Sequence, residues 1–216
     1  MVTTPKQMLS VPPLENGDRL SRHEFERRYQ AMPQVKKAEL IEGVTYIGSL
    51  PRIKSHGEPH RNIVGWLGTY RAFTPNVVLG DNPTVRLDPD NEPQPDAVLF
   101  IPGRQATISA DDYIEGAPEL VVEVAASTVS IDLHDKKRAY RRSGVQEYIV
   151  WRTLNEQLDW FVLEEDEYVL LNPDEQGTIC SRVFPGLWLA VSALLEGDMK
   201  TVLSVLQTGL TSVRQQ

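Results

Sequence analysis

Between Pro118 and Arg152 the sequence alternates in a way that few folds can accept. PELVVEVA (118–125) is apolar at nearly every position. A strand apolar on both faces must be covered on both, as at the centre of a parallel or mixed sheet. DLHDKKRAYRRSG (132–144) follows with Leu133 and Tyr140 on one helical stripe, Asp132 placed as an N-cap and Gly144 as a stop. VQEYIVWR (145–152) is then a second strand. Strands joined through a helix pair in parallel, since a parallel pair needs a crossover that no hairpin supplies. The unit excludes an all-β architecture and predicts an α/β fold, a mixed central sheet flanked by helices.

The remaining segments extend this scheme. Ser21 and Glu24 form a capping-box pattern, with Leu20 and Phe25 at the staple positions, for a helix ending before Pro33. KKAELIEGVTYIGSL (36–50) reads as two strands around a Glu42-Gly43 turn. PHRNIVGWLGTYRAF (59–73) sets His60, Ile63, Val64, Leu67 and Tyr70 on one helical stripe. Short strands are predicted at VVLG, TVRL and QPDAVLFI, and an antiparallel meander over 147–171 with turns near Asn155 and Asp166. FPGLWLAVSALL (184–195) and an amphipathic helix close the chain. Residues 1–19 and 208–216 read as loose tails around a single domain at 20–207.

Composition narrows the function classes. No run approaches the roughly 18 apolar residues of a membrane span, and MVTTPKQMLSVPP lacks the apolar centre of a signal peptide, so a cytoplasmic protein is expected. The single Cys180 excludes an internal disulfide and a cysteine-based zinc cluster, and reads as a small core or strand residue. The four tryptophans are scattered and read as core. A net charge of −8 counts against tight, sequence-independent binding to nucleic acid.

Chemistry concentrates on three positions. Glu123 stands among valines in the most buried strand, where a carboxylate is costly without a partner such as a cation, a lysine or an arginine. Asp96 opens DAVLFI after the proline-bracketed EPQPD. Two acids entering neighbouring strands can converge, and Asp96, Glu123 and the backbone carbonyl of Val124 would suit Mg²⁺, which takes carboxylate, carbonyl and water oxygens. On the following helix, Lys136 and Lys137 both fall near the inward stripe, and periodicity does not choose between them. Paired carboxylates can also work without metal, as in glycosidases, but neither acid has an aromatic sugar platform nearby.

The order PD, then a strand carrying glutamate, then a lysine resembles the PD-(D/E)XK nuclease superfamily. In particular, AELIEGV, PHRNIVGWL, QPDAVLF, APELVVEVAAST, DLHDKKRAYRRSGVQEYIVW and FPGLWLAV resemble the Uma-two family of restriction-endonuclease-like proteins over about residues 21–196. The resemblance implies an endonuclease using Mg²⁺ or Mn²⁺ on nucleic acid, DNA in preference to RNA, and a homodimer by analogy. Asp96 and Glu123 match its catalytic acids. Ala125 stands where a strict ExK would hold lysine, and Lys136 matches the lysine supplied from the next helix instead. Glu39 matches an early acid and His60 a histidine opening the second helix. Arg141 and Arg142 are candidates for phosphate contacts, as arginine suits bidentate phosphate binding. The alternative is a catalytically silent binding or regulatory module on the same fold, since fold does not fix function.

Overall fold

The computed structural model describes residues 11–48 and 52–214; the tail expectations for 1–10 and for 215–216 lie outside the described residues. Ser21 is the N-cap of α1 (Arg22–Gln30), yet its hydroxyl makes no cap bond. The expected capping box is not formed, because Glu24 is taken by Arg27 and Arg28, each at 2.7 Å. Strands β1 (Ala38–Ile41) and β2 (Val44–Ile47) form the predicted hairpin. Its turn needs positive φ at both central residues, and Glu42 (52°) and Gly43 (71°) supply it. A π-helical turn, Ile53–Gly57, leads into α2 (Glu58–Phe73). That helix buries Ile63, Trp66, Leu67 and Tyr70, so Trp66 fills the inward face where Val64 was expected.

Next come β3 (Val78–Asp81), β4 (Val85–Arg86), β5 (Ala97–Phe100), β6 (Ala106–Ile108), β7 (Ile114–Gly116) and β8 (Leu120–Ala125). The crossover consists of α3 (Val129–Ile131), a second π-helical turn at Asp132–Lys136, and α4 (Lys137–Arg142). Asp132 is therefore inside the helical segment and buried, and Thr128 is the N-cap. Gly144, at φ 83°, ends the helix as expected. Then follow β9 (Glu147–Arg152), β10 (Gln157–Glu164), β11 (Glu167–Leu170), β12 (Thr178–Cys180), β13 (Trp188–Ala190), α5 (Val191–Leu195) and α6 (Met199–Arg214).

The main sheet has the order β11-β10-β9-β8-β5-β3, with β8 parallel to β9 and antiparallel to β5. The predicted mixed α/β fold is thus realised, with the apolar run at its centre and every β8 residue buried. Val122, Val124 and Ile149 on one face pack with Trp66 of α2 and with Val202 and Leu206 of α6. Val121 and Tyr148 on the other face pack with Tyr140 of α4. Trp66, Trp151 and Trp160 are buried, and Cys180 is an exposed strand residue. Helix continues to Arg214 with Leu210 buried, and Leu14 is buried beside Phe25 and Leu40, where the sequence suggested loose ends. Among the described residues no helix is long and apolar enough to cross a membrane.

Candidate active site

Sheet register brings the two acids together. In the antiparallel β5–β8 pair, Ala97 is opposite Val122, so one step further sets Asp96 opposite Glu123. Directly opposed residues share a face, here the face covered by the helical crossover. The Val124 N–H donates to Asp96 Oδ2 at 2.7 Å, locking the start of β5 against β8. A residue's N–H and C=O leave an extended strand on the same edge, so the Val124 carbonyl lies on the Asp96 side.

Lys136 closes the cluster from the crossover. Its Nζ is 2.8 Å from Glu39 Oε1, 3.0 Å from Glu123 Oε1 and 3.6 Å from Asp132 Oδ1. The Tyr140 hydroxyl donates to the same Glu123 Oε1 at 2.8 Å. Lys137 points elsewhere: its ammonium stands 3.4 Å from the centre of the Phe161 ring. The structure thus separates the two lysines that periodicity left open. Glu39 reaches the site from β1, its Oε1 also accepting the Gln94 N–H at 2.7 Å.

The electrostatics follow from burial. Glu39, Asp96, Glu123 and Asp132 are all buried. Desolvation, and then the neighbouring charges of Asp132, Glu39 and Asp96, push the Glu123 carboxyl up to about 8 despite Lys136. Asp132 is raised too, mainly by burial. Burial opposes the charge on Lys136, but Glu123, Glu39 and Asp132 outweigh it and hold the ammonium well above the ordinary lysine range. Asp96 goes the other way. Desolvation alone would raise it, and His56, Lys37 and the Val124 N–H together hold it below the usual aspartate range.

Two groups at Asp96 carried no sequence signal strong enough to single them out. His56, in the first π-helical turn, places Nε2 3.1 Å from Asp96 Oδ1, and Lys37 Nζ is 4.0 Å from that oxygen. His60, which was singled out, holds the Asp96 backbone carbonyl at 3.1 Å and Asp81 at 2.9 Å, not the carboxylate. Asp132 and Tyr140 flank Lys136 by four residues each, a spacing that does mark one helical face. Ala125 is buried in the core on the Tyr140 side. Arg141 is held by Glu167 at 2.6 Å, and Arg142 by Glu42 at 2.7 Å with Asp88 at 3.6 Å, so neither joins the acid cluster.

Among the described residues no three His, Cys, Asp or Glu side chains form a metal cage on their own. Mg²⁺ does not require one, because it is commonly held by one or two carboxylates, keeping waters and substrate phosphate oxygens. The donors fit such an ion. Asp96 Oδ1 is buried, with His56 Nε2 at 3.1 Å and Lys37 Nζ at 4.0 Å beside it and no backbone donor on it. Lys136 and Tyr140 both donate to Oε1 of Glu123, leaving Oε2 out of either bond. Four buried acids also crowd around one buried and one half-buried ammonium, and the burial and mutual repulsion that raise Glu123 and Asp132 are a cost that a divalent cation would offset.

The sequence profile of the Uma2 family, described as "Putative restriction endonuclease", matches residues 22–192. No curated protein matches the chain. Among solved structures, the fold is similar to that of "a putative nuclease belonging to DUF820 from Anabaena variabilis ATCC 29413", with a TM-score of 0.61 and 14% identity. The likeness covers 79% of this chain and 97% of that one, and at such identity it speaks to the fold.

Proposed function

The chain belongs to the Uma2 family of restriction-endonuclease-like proteins, and on that premise we propose that it hydrolyses nucleic-acid phosphodiesters with a divalent cation held by Asp96 and Glu123. The observation that carries this reading is the opposition of those two acids across β5 and β8, with Lys136 donating to Glu123. DNA is the proposed substrate in preference to RNA. A homodimer is the proposed acting unit, since cutting both strands of a duplex takes two single-site copies.

Asp96, Glu123 and the Val124 carbonyl would hold Mg²⁺ or Mn²⁺, with Glu39 as a further ligand, direct or through water. Such an ion supplies an acidified water and neutralises charge on the scissile phosphate. Lys136 is held as an ammonium by its three acids. Its role is therefore to orient the attacking water and to stabilise charge developing on phosphate, not to accept a proton. Tyr140 fixes the rotamer of Glu123, and His60 fixes the backbone at Asp96.

The test is Mg²⁺-dependent cleavage of duplex DNA by wild type, Asp96→Asn and Glu123→Gln, with circular dichroism as the folding control. Glutamine mimics the protonated acid that burial favours, so Glu123→Gln should fold. Both variants are expected to lose cleavage by at least roughly a hundred-fold. Unchanged cleavage in both rejects the assignment.

The net charge of −8 favours a second reading, a silent binding or regulatory module. Metal-linked stability separates the two. An ion at 100 times its dissociation constant adds about 2.7 kcal/mol, or several degrees of melting temperature at this size. The nuclease reading expects that gain in wild type and not in Glu123→Gln.

A further inference from the structure

The most basic stretch of sequence, on α4, is locally neutralised. Arg138 lies against Asp135 and Glu42, Arg141 against Glu167, and Arg142 against Glu42 and Asp88. Three arginines therefore face four carboxylates, which leaves no net positive field to attract a polyanion.

The turn that carries His56 is different. Arg52 and Lys54 are exposed, and among the described residues neither has a carboxylate within ion-pairing distance. Between them Ile53 is 67% exposed, and Leu154, on the neighbouring turn after β9, is 68% exposed. The Thr153 hydroxyl joins the two turns by donating to the Ser55 carbonyl at 2.7 Å, and it lies 3.4 Å from the carbonyl of Ala125 at the carboxyl end of β8. These groups therefore stand over the strand end that holds Glu123, with His56 of the same turn reaching Asp96. Ligands of open α/β sheets enter at the carboxyl ends of strands. Two cations flanking exposed aliphatic side chains match the chemistry of a duplex, with phosphates for the cations and a base step for an apolar wedge.

We propose that duplex DNA docks over the Ile53–Gly57 turn, its phosphates on Arg52 and Lys54 and its bases against Ile53 and Leu154, and not along α4. This rests on the nuclease reading and adds to it the path of the substrate. Binding of a fluorescently labelled duplex, at constant Ca²⁺ and over 50–200 mM monovalent salt, tests it. Each lost phosphate contact lowers the slope of log K against log salt by about 0.9. Arg52→Ala/Lys54→Ala is thus expected to flatten the slope by about 1.8, and Arg141→Ala/Arg142→Ala to leave it unchanged. Ile53→Ala/Leu154→Ala should weaken binding without altering the slope. A wild type that binds, with a slope insensitive to Arg52→Ala/Lys54→Ala, overturns this inference and leaves the nuclease reading standing. A wild type that binds no duplex at any salt contradicts both.

Discussion

At Lys136, burial works against the charge and three carboxylates work for it, and the carboxylates win. Removing that ammonium should therefore cost activity and stability together, because breaking a buried pair strands the partner's charge. Lys136→Met is expected to lose cleavage by roughly a hundred-fold or more, while Lys137→Met, which removes a charge lying over Phe161 and near Asp159 and Glu167, keeps it within a few-fold. Turnover of both variants on one duplex, with circular dichroism as the control, checks the pair; equal losses would contradict the geometry. Tyr140→Phe removes a hydrogen bond worth about 1 kcal/mol and should lower the melting temperature by a few degrees. Asp96 and Glu123 were legible in the sequence because an acid in an apolar strand has to be explained. Asp132 was misread as a cap because the helical segment begins three residues earlier, at Val129 behind Thr128, where a β-branched pair gives no helix-start signal. His56 and Lys37 reach Asp96 through tertiary contacts that no local pattern encodes.

At the level of elements, α6 shows why the end of the chain was underread. An amphipathic pattern near a terminus resembles a frayed end until its partner is known, and here the partner is the 186–188 segment. A Cβ on Gly209 would stand 2.5 Å from the Gly186 carbonyl oxygen and 2.7 Å from the Trp188 ring. Alanine in a helix interior ordinarily gains up to about 1 kcal/mol over glycine, but overpacking costs about 1–3 kcal/mol. Gly209→Ala should therefore destabilise the protein, and a urea melt showing a higher midpoint would contradict the docking. The Glu92 cluster gives a pH test. Burial, then the hydrogen bond and charge of Glu26, push Glu92 from 4.5 up to about 8, against Arg86 and Arg22. Between those values the native state holds a proton that the unfolded chain releases, so this group's contribution to stability falls as pH rises through that window. Relative to wild type, Glu92→Gln should gain melting temperature from pH 5 to pH 8.5, and parallel curves would contradict the assignment. The crossover, the hairpin and the meander were all read from sequence because each has its own period or turn. Of the small sheets, β4 falls within the predicted TVRL strand, while β6, β7, β12 and β13 were not read, since strands of three residues are too short to show a period.

For the whole molecule, the proposed function requires an acidic protein with an acidic pocket to meet a polyanion through a local surface and a bound cation, not through its net field. The fold supplies the frame for this. A central strand buried on both faces fixes the register that sets Asp96 beside Glu123, and the crossover after it delivers Lys136 to the same face. Crystals grown with Mn²⁺ decide by anomalous scattering whether this acid pair is a cation site. A cation site gives a peak within coordination distance of Asp96 and Glu123, with Lys136 beside it. Well-ordered side chains with no peak, and Lys136 alone bridging the acids, would contradict it.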